Sequence, residues 1–293
     1  MSLKEAITGP AESLQGKIGI SVKNLGTAES ASINGDILFP TASTFKVPVL
    51  VEFYRQIESG KLSLDENIIL RMEDKVPGSG ILKELTPGMT INFRDLLKLM
   101  MIVSDNTATD LVVREVGMDN INKTLKDLGL KKTQVKKYCR EILFDLVGVN
   151  MPIKEMTLEL WEEVSEGTDY HGSWSLGVED NDVTTPEEMT KLLELIALGK
   201  AASKESCDAI LEIMGKCQTG QYRIPKYLPA KELVLQRKTG SLPGIRNDVG
   251  IIIRKETGER YILSCFTMKA DDVYDAEDCI ARVSENVYKY FYE

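Results

Sequence analysis

The sequence predicts an α+β fold: a five-stranded antiparallel sheet flanked by helices, with an all-helical segment inserted between its two groups of strands. Three observations predict it. Apolar and polar residues alternate near the start of the 293-residue chain, strand-like runs return near its end, and the middle carries helix starts and stops. The order strand pair, helices, strand triplet, helix makes the two ends of the chain share one sheet. No internal repeat or low-complexity linker interrupts that order. The expected division is residues 1–55 with 225–293 as the sheet-bearing lobe and 56–224 as an inserted helical lobe, forming one structural unit.

Each element has a local reason. Ile18, Ile20 and Val22 alternate with Gly19, Ser21 and Lys23, the pattern of a half-buried strand. Asn24-Leu25-Gly26-Thr27 turns the chain into a second strand over 29–33. Phe39-Pro40-Thr41-Ala42 leads into a buried helix that starts at Ser43. Asn92 can cap a helix over 93–103. Helices over 107–116 and 119–128 follow, and Gly129 ends the second of these as its C′ residue. Thr185-Pro186-Glu187-Glu188 reads as a capping box with proline at the first helical position, opening a helix over 186–198. One more helix covers 203–215. Strands return over 233–241, 247–254 and 260–268, with Lys255-Glu256-Thr257-Gly258 turning the second into the third. Residues 275–292 close the chain as an amphipathic helix.

Composition narrows the function classes. A hydrophobic content of 43% supports an ample core, and a net charge of −9 argues against a nucleic-acid partner. No apolar run reaches the length of a membrane-spanning helix. Met1-Ser2-Leu3-Lys4-Glu5-Ala6 has no signal-peptide core, but Met1-Ser2-Leu3 could be an expression scar before a trimmed chain. The five cysteines form no C-x-x-C pair, and reduced, mostly buried thiols are expected. One histidine and no close cysteine pair argue against zinc, and no cofactor or metal is expected. A monomer is the expected state.

Ser43-Thr44-Phe45-Lys46 is the one place where serine precedes lysine by three. On a helix those positions share a face, so the Lys46 ammonium is expected beside the Ser43 hydroxyl. A serine hydroxyl needs a neighbour to take its proton, and a buried lysine loses its own more easily. Ser43 at a helix N-terminus would also aim backbone N–H groups at an oxyanion. Two further motifs follow in order. Ser104-Asp105-Asn106 comes after the apolar run 96–103, and Lys238-Thr239-Gly240 ends the strand-like run from Leu233 to Arg237.

These three ordered motifs make the chain resemble the class A branch of the active-site-serine β-lactamase and penicillin-binding family over roughly residues 16 to 290. The resemblance implies the β-lactamase/transpeptidase-like architecture with its active site between lobes. It implies Ser43 as nucleophile, Lys46 as its partner and a candidate for taking its proton, and Ser104 as relay to the leaving nitrogen. It assigns Asn106 to the substrate's side-chain carbonyl and Lys238, Thr239 and Ser241 to substrate binding. Gly240 would let substrate lie against the strand edge, and the Ser241 N–H would join that of Ser43 as oxyanion donors. Arg246 falls near a second carboxylate-binding position. Asp105 is expected to hold its loop by backbone hydrogen bonds, and Pro77-Gly78-Ser79-Gly80-Ile81-Leu82 to position the site. The implied substrate is a small β-lactam or peptide-like acyl compound. Export is implied too, with a cytoplasmic location left open.

One departure matters for mechanism. The family's deacylating glutamate begins Glu-x-x-Leu-Asn in its omega loop, and that string is absent here. Aligned without gaps, its place falls on Cys139 in Lys137-Tyr138-Cys139-Arg140-Glu141. Glu141 is the candidate replacement base, with His171 or another carboxylate behind it. The omega-loop region 131–184 is expanded, and its stretch 152–163 reads as an acidic amphipathic helix. The expectation is a serine β-lactam hydrolase with poor deacylation. The alternatives are a D-alanyl carboxypeptidase or esterase, or a sensor that acylates without turnover.

Overall fold

A computed structural model describes residues 2–177 and 180–293. The chain opens with α1 (Leu3–Glu12), β1 (Lys17–Asn24), β2 (Ser30–Ile33), β3 (Phe39–Pro40) and α2 (Lys46–Glu58). A short pair β4 (Asn67–Ile69) and β5 (Thr90–Asn92) precedes α3 (Phe93–Ile102), α4 (Asn106–Val116) and α5 (Met118–Asp127). Then come α6 (Cys139–Leu146), α7 (Leu158–Ser165), β6 (Val183–Thr184), α8 (Pro186–Ala197) and α9 (Lys204–Met214). The chain closes with β7 (Leu233–Leu242), β8 (Ile245–Arg254), β9 (Arg260–Met268) and α10 (Val273–Tyr292).

The main sheet has five antiparallel strands in the order β2-β1-β9-β8-β7, so the chain's two ends meet where β1 pairs β9 from Lys17↔Met268 to Asn24↔Tyr261. This is the α+β sheet the alternation predicts. Both faces are covered. Ile252 and Leu263 join Ile18, Ile20 and Val22 under α1 and α10. Their neighbours Ile251 and Ile262 join the larger core around α2, α3, α4, α8 and α9. Alternate residues thus enter opposite cores, which is why β8 and β9 read as continuous apolar runs. β7 is an edge strand, and its last residues run past the turn that carries Ser43.

Gly129 takes the positive φ (+76°) expected of a C′ residue. Asn92 caps α3 by accepting from the Asp95 N–H. Only half of the capping box predicted for α8 forms. Thr185 accepts from Glu188 N–H, but the Glu188 carboxylate turns to the backbone N–H groups of Lys132 and Thr133. Two helices escape the sequence analysis. Helix α1 starts on a Ser2–Glu5 capping box, and α6 begins at Cys139. The acidic helix expected over 152–163 splits into a 3₁₀ turn, Ile153–Glu155, and α7, because Thr157 caps a new start at Leu158. Trp161 on α7 packs edge-on against Phe144 of α6, with ring centroids 5.5 Å apart. Among the described residues no helix is long and apolar enough to cross a membrane.

Candidate active site

Ser43 sits in the 3₁₀ turn Ala42–Phe45, which runs directly into α2 at Lys46. The turn is held from three sides. Thr41 donates its backbone N–H to Asp182 O at 2.9 Å, and Asn247 Nδ2 on β8 donates to Pro40 O and Thr41 O. The end of β7 closes the third side. A Cβ on Gly240 would lie 2.6 Å from Thr41 O and 3.1 Å from Ser43 N. The glycine therefore admits the Ser43 turn, whereas the sequence analysis reserved that space for substrate. Ala42 has φ +43° and Ser104 φ +59°, left-handed values for residues with a side chain. Such backbone costs about 1–3 kcal/mol per residue and persists only where the surroundings impose it.

Lys46 is expected beside the Ser43 hydroxyl, yet its Nζ bonds to other groups. Lys46 Nζ spends its three donors on Ser104 O (2.8 Å), Ser104 Oγ (3.1 Å) and Asn106 Oδ1 (2.9 Å). Lys238 Nζ reaches the same Ser104 Oγ at 3.0 Å, and Thr239 O at 2.7 Å. Both lysines are fully buried beneath the cavity. The Ser104 hydroxyl thus links the two lysine nitrogens. Burial pushes Lys46 below the ordinary lysine range, opposed in part by Asp105 and Asp110. Burial, reinforced by the Lys46 charge, brings Lys238 down to about 7. Lys238 thus lies one layer behind the cavity surface, bonded to Ser104 and Thr239.

Asn106 is pinned by its backbone N–H to Ser79 O and by Nδ2 to Pro77 O, each at 2.9 Å. An amide nitrogen carries two hydrogens, so one Nδ2 hydrogen remains for a ligand carbonyl. Asp105 does what the sequence analysis expects. Its Oδ2 accepts from Ile81 N–H and Leu82 N–H, and its Oδ1 caps α4 at Ala108 N–H. The loop 77–82 is thereby fastened to the Ser104 turn, with Ser79 Oγ donating to Ser104 O at 2.7 Å.

These groups line a cavity of about 210 Å³. Ser43, Ser79, Ser104, Asn106, Thr239 and Ser241 supply its polar surface. Phe45, Cys139, Ile142, Leu143 and Leu242 supply its apolar surface, and no charged side chain lines it among the described residues. Thr219, which no motif signalled, also lines it and shares a 2.5 Å hydrogen bond between its Oγ1 and that of Thr239.

Besides Lys46, Lys238 and Gly240, three predicted candidates lie off the cavity lining. Glu141 is the third residue of α6, where its Oε2 accepts from the Tyr138 N–H at 2.9 Å, so helix capping claims the carboxylate. Arg246 donates to Leu242 O and Ile245 O and pairs with Glu277 at 3.4 Å. His171 is exposed, its backbone N–H bonded to Leu146 O. Arg223, unmarked in the sequence, stands closer. It donates to Gly240 O, Asn247 O and Ser241 Oγ while Glu277 neutralises it at 3.0 Å. All five of its N–H groups are thereby engaged, and it fixes the rim of β7.

Cys139 stands in the cavity wall where a carboxylate was sought, and burial pushes its thiol far above the usual range. Behind it lie two buried carboxyls. Asp110 accepts from Cys139 N–H (2.7 Å) and Arg140 N–H (3.1 Å), and burial raises it to about 6. Asp182 Oδ1 accepts from Lys136 N–H and Lys137 N–H, and its Oδ2 is buried without a partner among the described residues. Burial raises Asp182 to about 7.

Comparison with known proteins places the chain in a family. A family model for beta-lactamase enzymes matches residues 2–291. A beta-lactamase of Proteus vulgaris is 27% identical over 292 residues, covering 99% of this chain and 96% of that protein. The crystal structure of a beta-lactamase from Sphaerobacter thermophilus superposes with a TM-score of 0.80 at 29% identity, covering 98% of this chain and 96% of that one. The structure of PBP-A superposes with a TM-score of 0.77 at 25% identity, covering 99% and 95%. The chain belongs to the beta-lactamase enzyme family.

Proposed function

We propose that this protein is a serine acyl-transfer hydrolase that opens β-lactams through an acyl-enzyme on Ser43 and releases the acyl group slowly. The observation that carries the reading is the sharing of Ser104 Oγ by two buried lysines at the edge of the Ser43 cavity. Burial favours a neutral amine on Lys46, which can take the Ser43 proton once substrate draws the groups together. The Ser43 oxygen then bonds the carbonyl carbon, and the C–N bond of the lactam breaks. The Ser104 hydroxyl gives its proton to the leaving nitrogen and is refilled from the lysines. The backbone N–H groups of Ser43 and Ser241 steady the oxyanion, where one donor is worth about 10²–10³ in rate. Asn106 holds the side-chain carbonyl, and the buried Lys238 charge favours the substrate carboxylate at Thr239 and Ser241.

Slow release is supported by Cys139, Ile142 and Leu143. A hydrolytic water needs several polar partners, and this part of the wall offers a raised thiol and two hydrocarbon chains. Export accompanies the proposal, since β-lactam targets of the family lie outside the cytoplasm. Labelling with a fluorescent penicillin tests the nucleophile. Wild type should be labelled and Ser43→Ala should not, and a labelled Ser43→Ala would refute the assignment.

A further inference from the structure

We infer that Ile142 and Leu143 make the site selective for acyl groups whose side chain ends in an uncharged apolar body, an inference that rests on the acyl-enzyme proposed above. Asn106 fixes the origin of that side chain. A Cβ built on Gly78 would lie 2.8 Å from Asn106 Nδ2 and 3.3 Å from Leu143 Cδ1. The leucine therefore stands beside the amide that would hold the substrate's side-chain carbonyl. Whatever extends from that carbonyl on this side meets hydrocarbon.

The wall is stiff. Asp110 ties down the start of α6 through the N–H groups of Cys139 and Arg140. Phe144, fully buried, is covered by Trp161. Helix α6 is thus anchored at its first turn and from behind, so Ile142 and Leu143 have little room to withdraw. A charged substituent would be stripped of water against this surface with no lining counter-charge among the described residues. A neutral aromatic or aliphatic substituent gains by burial.

The test compares acylation of Ser43 by three penicillins, followed by intact mass. The first has a phenylacetyl side chain, the second an α-carboxyphenylacetyl chain, and the third the α-carboxamide of matching shape. Both compounds with uncharged side chains should acylate the wild type roughly tenfold or more faster than the one whose side chain carries a carboxylate, the scale on which one misplaced group is discriminated. Leu143→Lys, at a half-buried position, should shrink that ratio below about threefold by supplying a counter-charge. Equal rates for carboxylate and carboxamide in the wild type would overturn the selectivity while leaving the acyl-enzyme intact. An unchanged ratio in a folded Leu143→Lys would remove Leu143 from the account. Absence of any Ser43 adduct with all three would overturn both proposals.

Discussion

Cys139→Glu is the substitution most directly suggested by the cavity wall. Cys139 is 5% exposed, lines the cavity beside Ser43, and has Lys46 as its principal cationic neighbour. A glutamate there would put a carboxylate against the wall where a water could be held. A positioned general base contributes about 10²–10⁴ in rate, so release of the acyl group should quicken at least a hundredfold. Stability should fall. Three extra heavy atoms in a packed wall cost about 1–3 kcal/mol. Asp110 and Asp182, raised to about 6 and about 7, oppose another nearby carboxylate. At about 2–4 °C per kcal/mol for a chain approaching this size, the midpoint should drop by several degrees. The assay is to acylate with penicillin, remove the excess and follow decay of the adduct mass. A folded Cys139→Glu whose adduct decays no faster than wild type would refute the idea that the wall lacks only a base.

Other outcomes follow from the same geometry. Gly240→Ala should cut acylation and lower the melting midpoint, because its Cβ meets the backbone of Thr41 and Ser43; unchanged kinetics would contradict that close approach. Lys238→Ala should weaken capture of carboxylate-bearing substrates more than of neutral esters, and equal losses would argue against its electrostatic role. In the free wild type that advantage should fade as pH rises through about 7, where Lys238 loses its proton, visible as a pH profile present for carboxylates and absent for esters. The Asp182 carboxyl is raised from 3.8 to about 7, so its contribution to stability is full below about pH 4 and is lost as pH rises toward 7. Asp182→Asn should therefore match wild type at pH 4 and melt higher at pH 8, and a pH-independent difference would contradict the assignment.

The architecture was legible because its signals are local. Alternation marked β1, apolar runs marked the later strands, and Asn92, Gly129 and Thr185 marked helix ends. Helix α6 was missed because Tyr138-Cys139-Arg140 carries no good capping residue; Asp110, distant in sequence, accepts the N–H groups at its start. The site's polar residues were legible where a motif fixed their spacing: Ser43, Ser104, Asn106, Thr239 and Ser241 meet on one cavity. What spacing could not tell was which atom each side chain reaches. Lys46 and Ser43 are three apart, yet Lys46 Nζ turns to Ser104 and Asn106, whose positions are set by another turn of chain. Gly240 and Arg223 act through close approaches between β7 and its neighbours, and no pattern within a window of sequence encodes those. Glu141 looked available because its capping role at Tyr138 needs a helix that the sequence analysis had not drawn.

The central claim is that Ser43 is acylated readily and freed slowly. Mixing the protein with a chromogenic cephalosporin, while following colour and intact mass together, tests it in one experiment. The account predicts a burst of colour stoichiometric with protein, a matching mass increase that maps to Ser43, and a much slower release thereafter. Sustained rapid colour with no accumulated adduct would contradict slow deacylation, and colour without any Ser43 adduct in the first turnover would contradict the nucleophile itself.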